Sequence, residues 1–180
     1  MRTIMTELEQ FRAQKDTFFK THPQSPLTAE QQAAFAGLRY FPENPDLRLV
    51  VPIETFAEKD TVVMQTSTGD ERSYTRYGRL RFTVDGQDVT LTLYADEDSG
   101  AFFLPFVDAL RGRETYGAGR YLDPEPLGDG QFLVDFNLAY NPYCAYNDDW
   151  SCPLTPVENW LAVPIRAGEK LFDEAKSLDA

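Results

Sequence analysis

RLRFTVDGQDVTLTLY, residues 79–94, reads as two strands and the turn that joins them. Leu80, Phe82 and Val84 alternate with Arg79, Arg81 and Thr83, the period-two pattern of a strand with one buried face. Asp85-Gly86 between the two runs is a hairpin signal, because glycine accepts the positive φ that a tight turn demands. The same texture recurs outward along the chain. Residues 47–53, 61–66, 101–106, 132–136 and 160–165 are short runs rich in Val, Leu, Phe, Thr and Tyr. Runs at this spacing with no helices between them pair antiparallel. They predict a mainly β (α+β) fold, an antiparallel β-barrel or sandwich of about seven to ten short strands.

The N-terminal part differs. Across residues 5–21, Leu8, Phe11, Phe18 and Phe19 recur at helical spacing among charged residues, and Pro23 and Pro26 close the segment. Thr28, with Gln31 three residues on, opens a second helix through a capping box. Phe35 supplies its apolar face and Gly37 its stop. Neither helix is long enough to stand alone in water. Residues 1–40 therefore read as a helical hairpin packed as an arm on a β core of residues 45–170, and residues 1–180 as a single domain.

The chain of 180 residues is 42% hydrophobic, a globular composition long enough for a real core. Its net charge of −12 is uneven. Residues 1–71 carry 7 basic and 11 acidic groups, residues 72–120 carry 7 of each, and residues 121–180 carry 3 and 11. This balance argues against nucleic-acid backbones and anionic membranes as partners. No apolar run approaches the roughly 20 residues of a membrane span. Residues 1–7 lack the apolar centre of a secretory signal, so the expected address is cytoplasmic.

Few residues offer chemistry. His22 is the lone histidine, in a proline-punctuated loop, which leaves little room for a catalytic triad or a histidine-rich metal site. Cys144 and Cys152 have seven residues between them, which is neither a thioredoxin-like nor a zinc-knuckle spacing. Two reduced thiols, a structural disulfide and a reactive thiol all remain open for the pair. Arg111, Arg113 and Arg120 fall within a glycine-containing stretch of an acidic chain, and an arginine fork suits carboxylate or phosphate. Gly117-Ala118-Gly119 leads toward Tyr121 rather than into a helix, so it is no nucleotide fingerprint. Asp96-Glu97-Asp98 and Asp148-Asp149 do not follow a calcium-loop spacing and read as solvated turns. No metal and no cofactor is expected.

Several motifs carry a resemblance. They are Asp135-Phe136-Asn137, Ala139-Tyr140-Asn141-Pro142, Cys144-Ala145-Tyr146, Cys152-Pro153, Glu158-Asn159 and Ala167-Gly168-Glu169-Lys170. Lys15-Asp16, Gly37-Leu38-Arg39-Tyr40-Phe41, Phe103-Leu104-Pro105-Phe106 and Gly112-Arg113-Glu114-Thr115-Tyr116-Gly117 support them. Together they resemble the bacterial domain-of-unknown-function 1684 family over nearly the whole chain. The resemblance implies a stand-alone bacterial domain from a family with no settled activity. Some relatives are exported, whereas this chain shows no export signal. Residues 123–130 are shorter here than in many members, which would open any pocket they border.

The residues themselves suggest where a site would lie. Arg113, Glu114, Tyr116, Asn137, Tyr140, Asn141, Tyr146, Glu158 and Asn159 are polar or amphipathic groups on turns between strands. Such turns converge at one end of a barrel or sandwich. The expectation is that residues 111–121 and 137–159 meet and line one cleft for a small polar ligand, anionic or sugar-like. The alternatives are a structural or interaction module without a ligand, and an enzyme using Glu114 or Glu158 as general acid or base.

Overall fold

The computed structural model describes residues 4–172. Eight strands form one antiparallel sheet that curls into a half-barrel, the β-rich α+β architecture expected. In chain order they are β1 (Arg48–Thr55), β2 (Thr61–Gln65), β3 (Glu71–Val84), β4 (Gln87–Asp96), β5 (Phe102–Phe106), β6 (Arg120–Leu122), β7 (Glu125–Gly128) and β8 (Gln131–Asp135). Their spatial order is β6-β5-β4-β3-β1-β8-β7. The long β3 carries two neighbours on one edge: β2 pairs with Glu71–Thr75 and β1 with Gly78–Leu80. The hairpin at the centre forms as expected, with Val84 opposite Gln87 and with Asp85 and Gly86 both at positive φ (49° and 76°). Asp129-Gly130 makes a second turn of the same kind between β7 and β8 (φ 51° and 70°), a signal of equal strength.

The alternation in β3 and β4 fills the core. Leu80, Val84, Val89, Leu91 and Leu93 join Leu104, Phe106, Val134 and Phe136 in one buried cluster. Strands β6 and β7 were not legible as strands. They are three and four residues long, and β7 has no buried position. The first half of β3 was hidden by its polar residues.

Residues 160–165 do not form the expected strand. A 3₁₀ turn at Val157–Asn159 precedes them, and Trp160 makes only an isolated parallel bridge to Val107. Pro164 has no N–H to give to a ladder. Instead the carbonyls of this C-terminal segment turn inward to a buried cation. Arg120, 1% exposed, donates to the carbonyls of Ile165 (2.8 Å), Ala167 (2.5 Å) and Glu169 (3.0 Å). Asp108 lies 3.8 Å from the same guanidinium, accepts the Ile165 N–H (2.8 Å) and accepts the Thr115 hydroxyl (2.6 Å). Burial lowers the Arg120 pKa to about 10, which still leaves it charged at neutral pH.

Helices α1 (Glu7–Thr21) and α2 (Ala29–Ala34) make the N-terminal hairpin. Thr28 and Gln31 form the expected capping box, and Thr6 and Glu9 form another. The second helix ends at Phe35, before Gly37. Phe19 is 1% exposed and packs with Leu27, Phe35 and Tyr146, so the helices cover the C-terminal loops rather than the sheet face. Lys15 of α1 pairs with the buried Glu169 at 2.7 Å. Among the described residues, no helix is long and apolar enough to cross a membrane.

Arg120→Met removes the cation and strands three buried carbonyls and a buried carboxylate. The expected loss is about 3–5 kcal/mol of unfolding free energy, the scale for breaking a buried charge pair from one side. Urea denaturation checks it, with a lowered midpoint and an unchanged slope. A loss under about 1 kcal/mol would mean that these groups find other partners.

Candidate functional site

Between Pro142 and Pro153 the chain makes a loop clamped on both flanks. On one side the helical hairpin holds it: the Trp150 indole N–H donates to the Pro26 carbonyl (3.0 Å), and the Gln31 amide to the Tyr146 carbonyl (2.7 Å). On the other side lies the turn after β2. The Ser67 hydroxyl accepts the Cys152 N–H (3.1 Å) and donates to the Trp150 carbonyl (2.9 Å). Arg72, at the start of β3, donates to the Ser151 carbonyl at 3.2 Å.

This clamping leaves a recess on each side of the loop. The first, about 600 Å³, lies between α1 and the loop and is walled by Phe11, Tyr121, Tyr140, Tyr143 and Trp150. Tyr143 and Trp150 meet edge to face at 5.2 Å, as do Tyr121 and Tyr140 at 5.9 Å. Lys15 and Arg72 bring positive charge to this aromatic cleft. Lys15 Nζ sits 5.2 Å from the Tyr140 ring centre, and Arg72 makes its hydrogen bond to a neutral carbonyl. The Tyr140 hydroxyl donates to the Asp123 carboxylate at 3.0 Å. Burial, then the Asp123 charge, pushes the Tyr140 pKa far up, while burial also raises that of Asp123. The second recess, about 590 Å³, lies on the opposite side, where Glu30, Asp148 and Asp149 give it an acidic rim and Tyr146 and Cys144 line it.

Residues 111–121 and 137–159 do meet. The Tyr116 hydroxyl lies 3.7 Å from Cys144 Sγ, Tyr121 bridges Tyr140, and the Thr155 hydroxyl donates to the Ala118 carbonyl (3.4 Å). The polar residues expected to face a ligand there divide sharply. Tyr140 lines the aromatic cleft, and Tyr146 lines the acidic recess while its hydroxyl reaches Glu169 at 2.5 Å. Arg113 and Glu114 border neither recess. Arg113 donates back to the Ala109 carbonyl of its own turn (3.3 Å), and Glu114 pairs with Arg166 at 2.6 Å on the surface.

The three asparagines are internal clamps. Asn159, 0% exposed, gives its amide to the carbonyls of Thr92 (2.9 Å) and Pro105 (2.8 Å) and takes the Thr92 N–H (2.8 Å). Asn137 does the same for Asn44, accepting its N–H at 2.8 Å and donating to its carbonyl at 2.9 Å. A carboxamide carries the same donor and acceptor as a peptide, so each stands in for a missing strand. Asn141 donates to the Lys170 carbonyl at 2.9 Å.

Glu158 is held by Arg76 through two bonds of 3.1 and 2.7 Å and accepts the Tyr94 hydroxyl. Arg76 is the chief cause of its lowered pKa, with the Tyr94 hydrogen bond adding to it against a desolvation that acts the other way. Cys144 and Cys152 are free thiols, both buried. Among the described residues no cluster of three or more His, Cys, Asp or Glu is placed to hold a metal ion. Lys15, Arg72, Tyr121, Tyr143 and Trp150 were missing from the expected set. Tyr143 and Trp150 lie within residues 137–159, the segment expected to line a cleft, but only the fold brings Lys15 and Arg72 beside them.

The Glu158 pair makes a pH prediction. Its folded pKa lies below the ordinary 4.5, so its contribution to stability is fully present above pH 4.5 and is lost as pH falls through the folded value. Glu158→Gln should therefore be less stable than the natural chain at pH 7, with the two converging as the solution is acidified. Urea midpoints measured across that range check it. An equal gap at every pH would mean that the charge of Glu158 contributes nothing.

Comparison with known proteins bears on the same architecture. An uncharacterised protein of Haloarcula marismortui, solved by solution NMR, is 39% identical and superposes with a TM-score of 0.68, covering 91% of this chain and 92% of its own. No curated protein matches. Residues 33–170 match the family described as Protein of unknown function (DUF1684), a span that takes in β1–β8 and the clamped loop but not helix α1; the chain belongs to that family.

Proposed function

We propose that this protein is a small-molecule binding domain of the bacterial cytoplasm. Its ligand is a ring bearing an anionic group, an acidic or phosphorylated sugar or an aryl acid, held in the aromatic cleft. One observation carries this reading: Tyr140, Tyr143 and Trp150 stand around a recess of about 600 Å³ together with Lys15 and Arg72. Aromatic walls with a few placed polar groups are the usual make-up of a small-molecule site. Ring faces stack on a sugar or an arene, and the Arg72 fork meets a carboxylate or phosphate. Lys15 is already paired with Glu169 at 2.7 Å, so Arg72 is the main anchor for the anion. The net charge of −12 supports a partner list without nucleic acid or membrane. The unbridged thiols fit a reducing compartment.

A second reading, an interaction module without a ligand, draws on the surface segment that carries Leu154, Val157 and Trp160, exposed 43%, 76% and 45%. An enzyme acting through Glu114 or Glu158 has less support, because each carboxylate is engaged by an arginine.

A thermal-shift screen with glucuronate, glucose 6-phosphate and 4-hydroxybenzoate tests the binding reading. At about a hundredfold excess over Kd, binding raises Tm by roughly 5–10 °C for a chain of this length. Arg72→Gln should reduce the shift at least tenfold in ligand concentration, about 1.4 kcal/mol, while Arg113→Ala leaves it unchanged. No shift with any of the three probes, or equal loss in both variants, overturns the reading.

A further inference from the structure

The wall between the two recesses holds a pair of thiols. Cys144 lines the acidic recess and Cys152 the aromatic cleft, and they are the only cysteines of the chain. The Cys144 N–H donates to Cys152 Sγ at 3.3 Å, which seats one sulfur against the backbone of the other cysteine. The Tyr116 hydroxyl lies 3.7 Å from Cys144 Sγ. Structural buried cysteines usually sit alone in apolar surroundings, where the thiol is inert. Here each sulfur has a polar neighbour, the Cys144 N–H at Cys152 Sγ and the Tyr116 hydroxyl at Cys144 Sγ. The Cys152 thiol first, then the Tyr116 hydroxyl, favour negative charge on Cys144 against the cost of burial, and Cys152 is pushed up because it keeps the shared proton. The residues are only 9% and 8% exposed, and each is reached from the recess it borders.

We propose that Cys144 and Cys152 are a peroxide-reactive dithiol that reduces a small hydroperoxide by closing to an intrachain disulfide. The Cys144 sulfur attacks one peroxide oxygen and the O–O bond breaks. The departing alkoxide takes a proton and leaves as the alcohol, and Cys144 becomes a sulfenic acid. The Cys152 sulfur then displaces hydroxide from Cys144 and gives up its own proton, so that an S–S bond forms and water leaves. Two thiols lose two electrons and the peroxide gains them. A dithiol reductant restores the pair by exchange. The two cysteines have seven residues between them, a short loop for a disulfide to close. This chemistry goes beyond the binding reading and does not depend on the ligand of the cleft.

The test uses the whole chain at pH 7 with one equivalent of hydrogen peroxide, stopped with catalase. Thiol titration in denaturant should fall from two groups to none, and peptide mapping should join Cys144 to Cys152 with the loss of two hydrogens. The native chain should react on the order of ten-fold faster than the same chain in urea, because an ordinary cysteine is only a few per cent ionised at neutral pH. Cys152→Ser should stop at a sulfenic acid on Cys144 that dimedone traps. Two thiols still titrating, a native rate no faster than the unfolded one, or oxidation to sulfinic acid without a disulfide would each overturn the proposal. The first and second measurements need no variant, so a misfolded Cys152→Ser leaves the test decisive.

Discussion

A guanidinium with almost no water around it organises this protein. Arg120 stands at the edge strand β6, and it gathers the carbonyls of Ile165, Ala167 and Glu169 around one charge. Burying an arginine is costly unless its donors are used and its charge is balanced. Asp108 supplies the balance at 3.8 Å, and the three carbonyls take three of the five N–H donors. The C-terminal segment is thereby held in an irregular path that no ladder of backbone bonds would impose.

That segment then serves as a spine for everything outside the sheet. Tyr40 and Glu169 bridge as antiparallel partners, the Phe41 N–H donates to the Gly168 carbonyl (2.9 Å), and the Lys170 N–H to the Arg39 carbonyl (2.8 Å). Gly168 sits at φ +76°, where a Cβ would stand 2.7 Å from the carbonyl oxygens of Phe136 and Ala139, so the close approach requires glycine. The Glu169 side chain, 1% exposed, takes Lys15 from α1 and Tyr146 from the clamped loop. One buried carboxylate thus ties the helical arm to the loop that separates the two recesses. The aromatic cleft exists because these three pieces converge.

The segment from Asp135 to Asn159 shows how polar loop residues can serve the interior rather than a surface recess. Its aromatic and polar density marks a loop that is built rather than merely connecting. Tyr140 and Tyr146 do line recesses. The asparagines were read as ligand-facing because polar residues in loops usually meet water. Asn137 and Asn159 instead complete backbone pairing inside the protein, a role that depends on which unpaired peptide groups lie opposite. Neither Lys15 on a helix nor Arg72 at a strand start carries a local mark of its place beside Trp150.

By itself the amino-acid sequence determined the antiparallel strands with alternating faces, the Asp85-Gly86 hairpin, the two helices with the Thr28 cap, and the family. These depend on neighbours a few residues apart, whose period and turn chemistry are written in order along the chain. The tertiary structure decided that 160–165 is not a strand, that Arg120 is a core residue, and that two recesses flank a pair of facing thiols. Most of those outcomes rest on contacts between residues distant along the chain, such as Lys15 with Glu169 and Arg76 with Glu158. Burial, and with it the worth of each charge and hydrogen bond, is a property of the packed chain and has no local code.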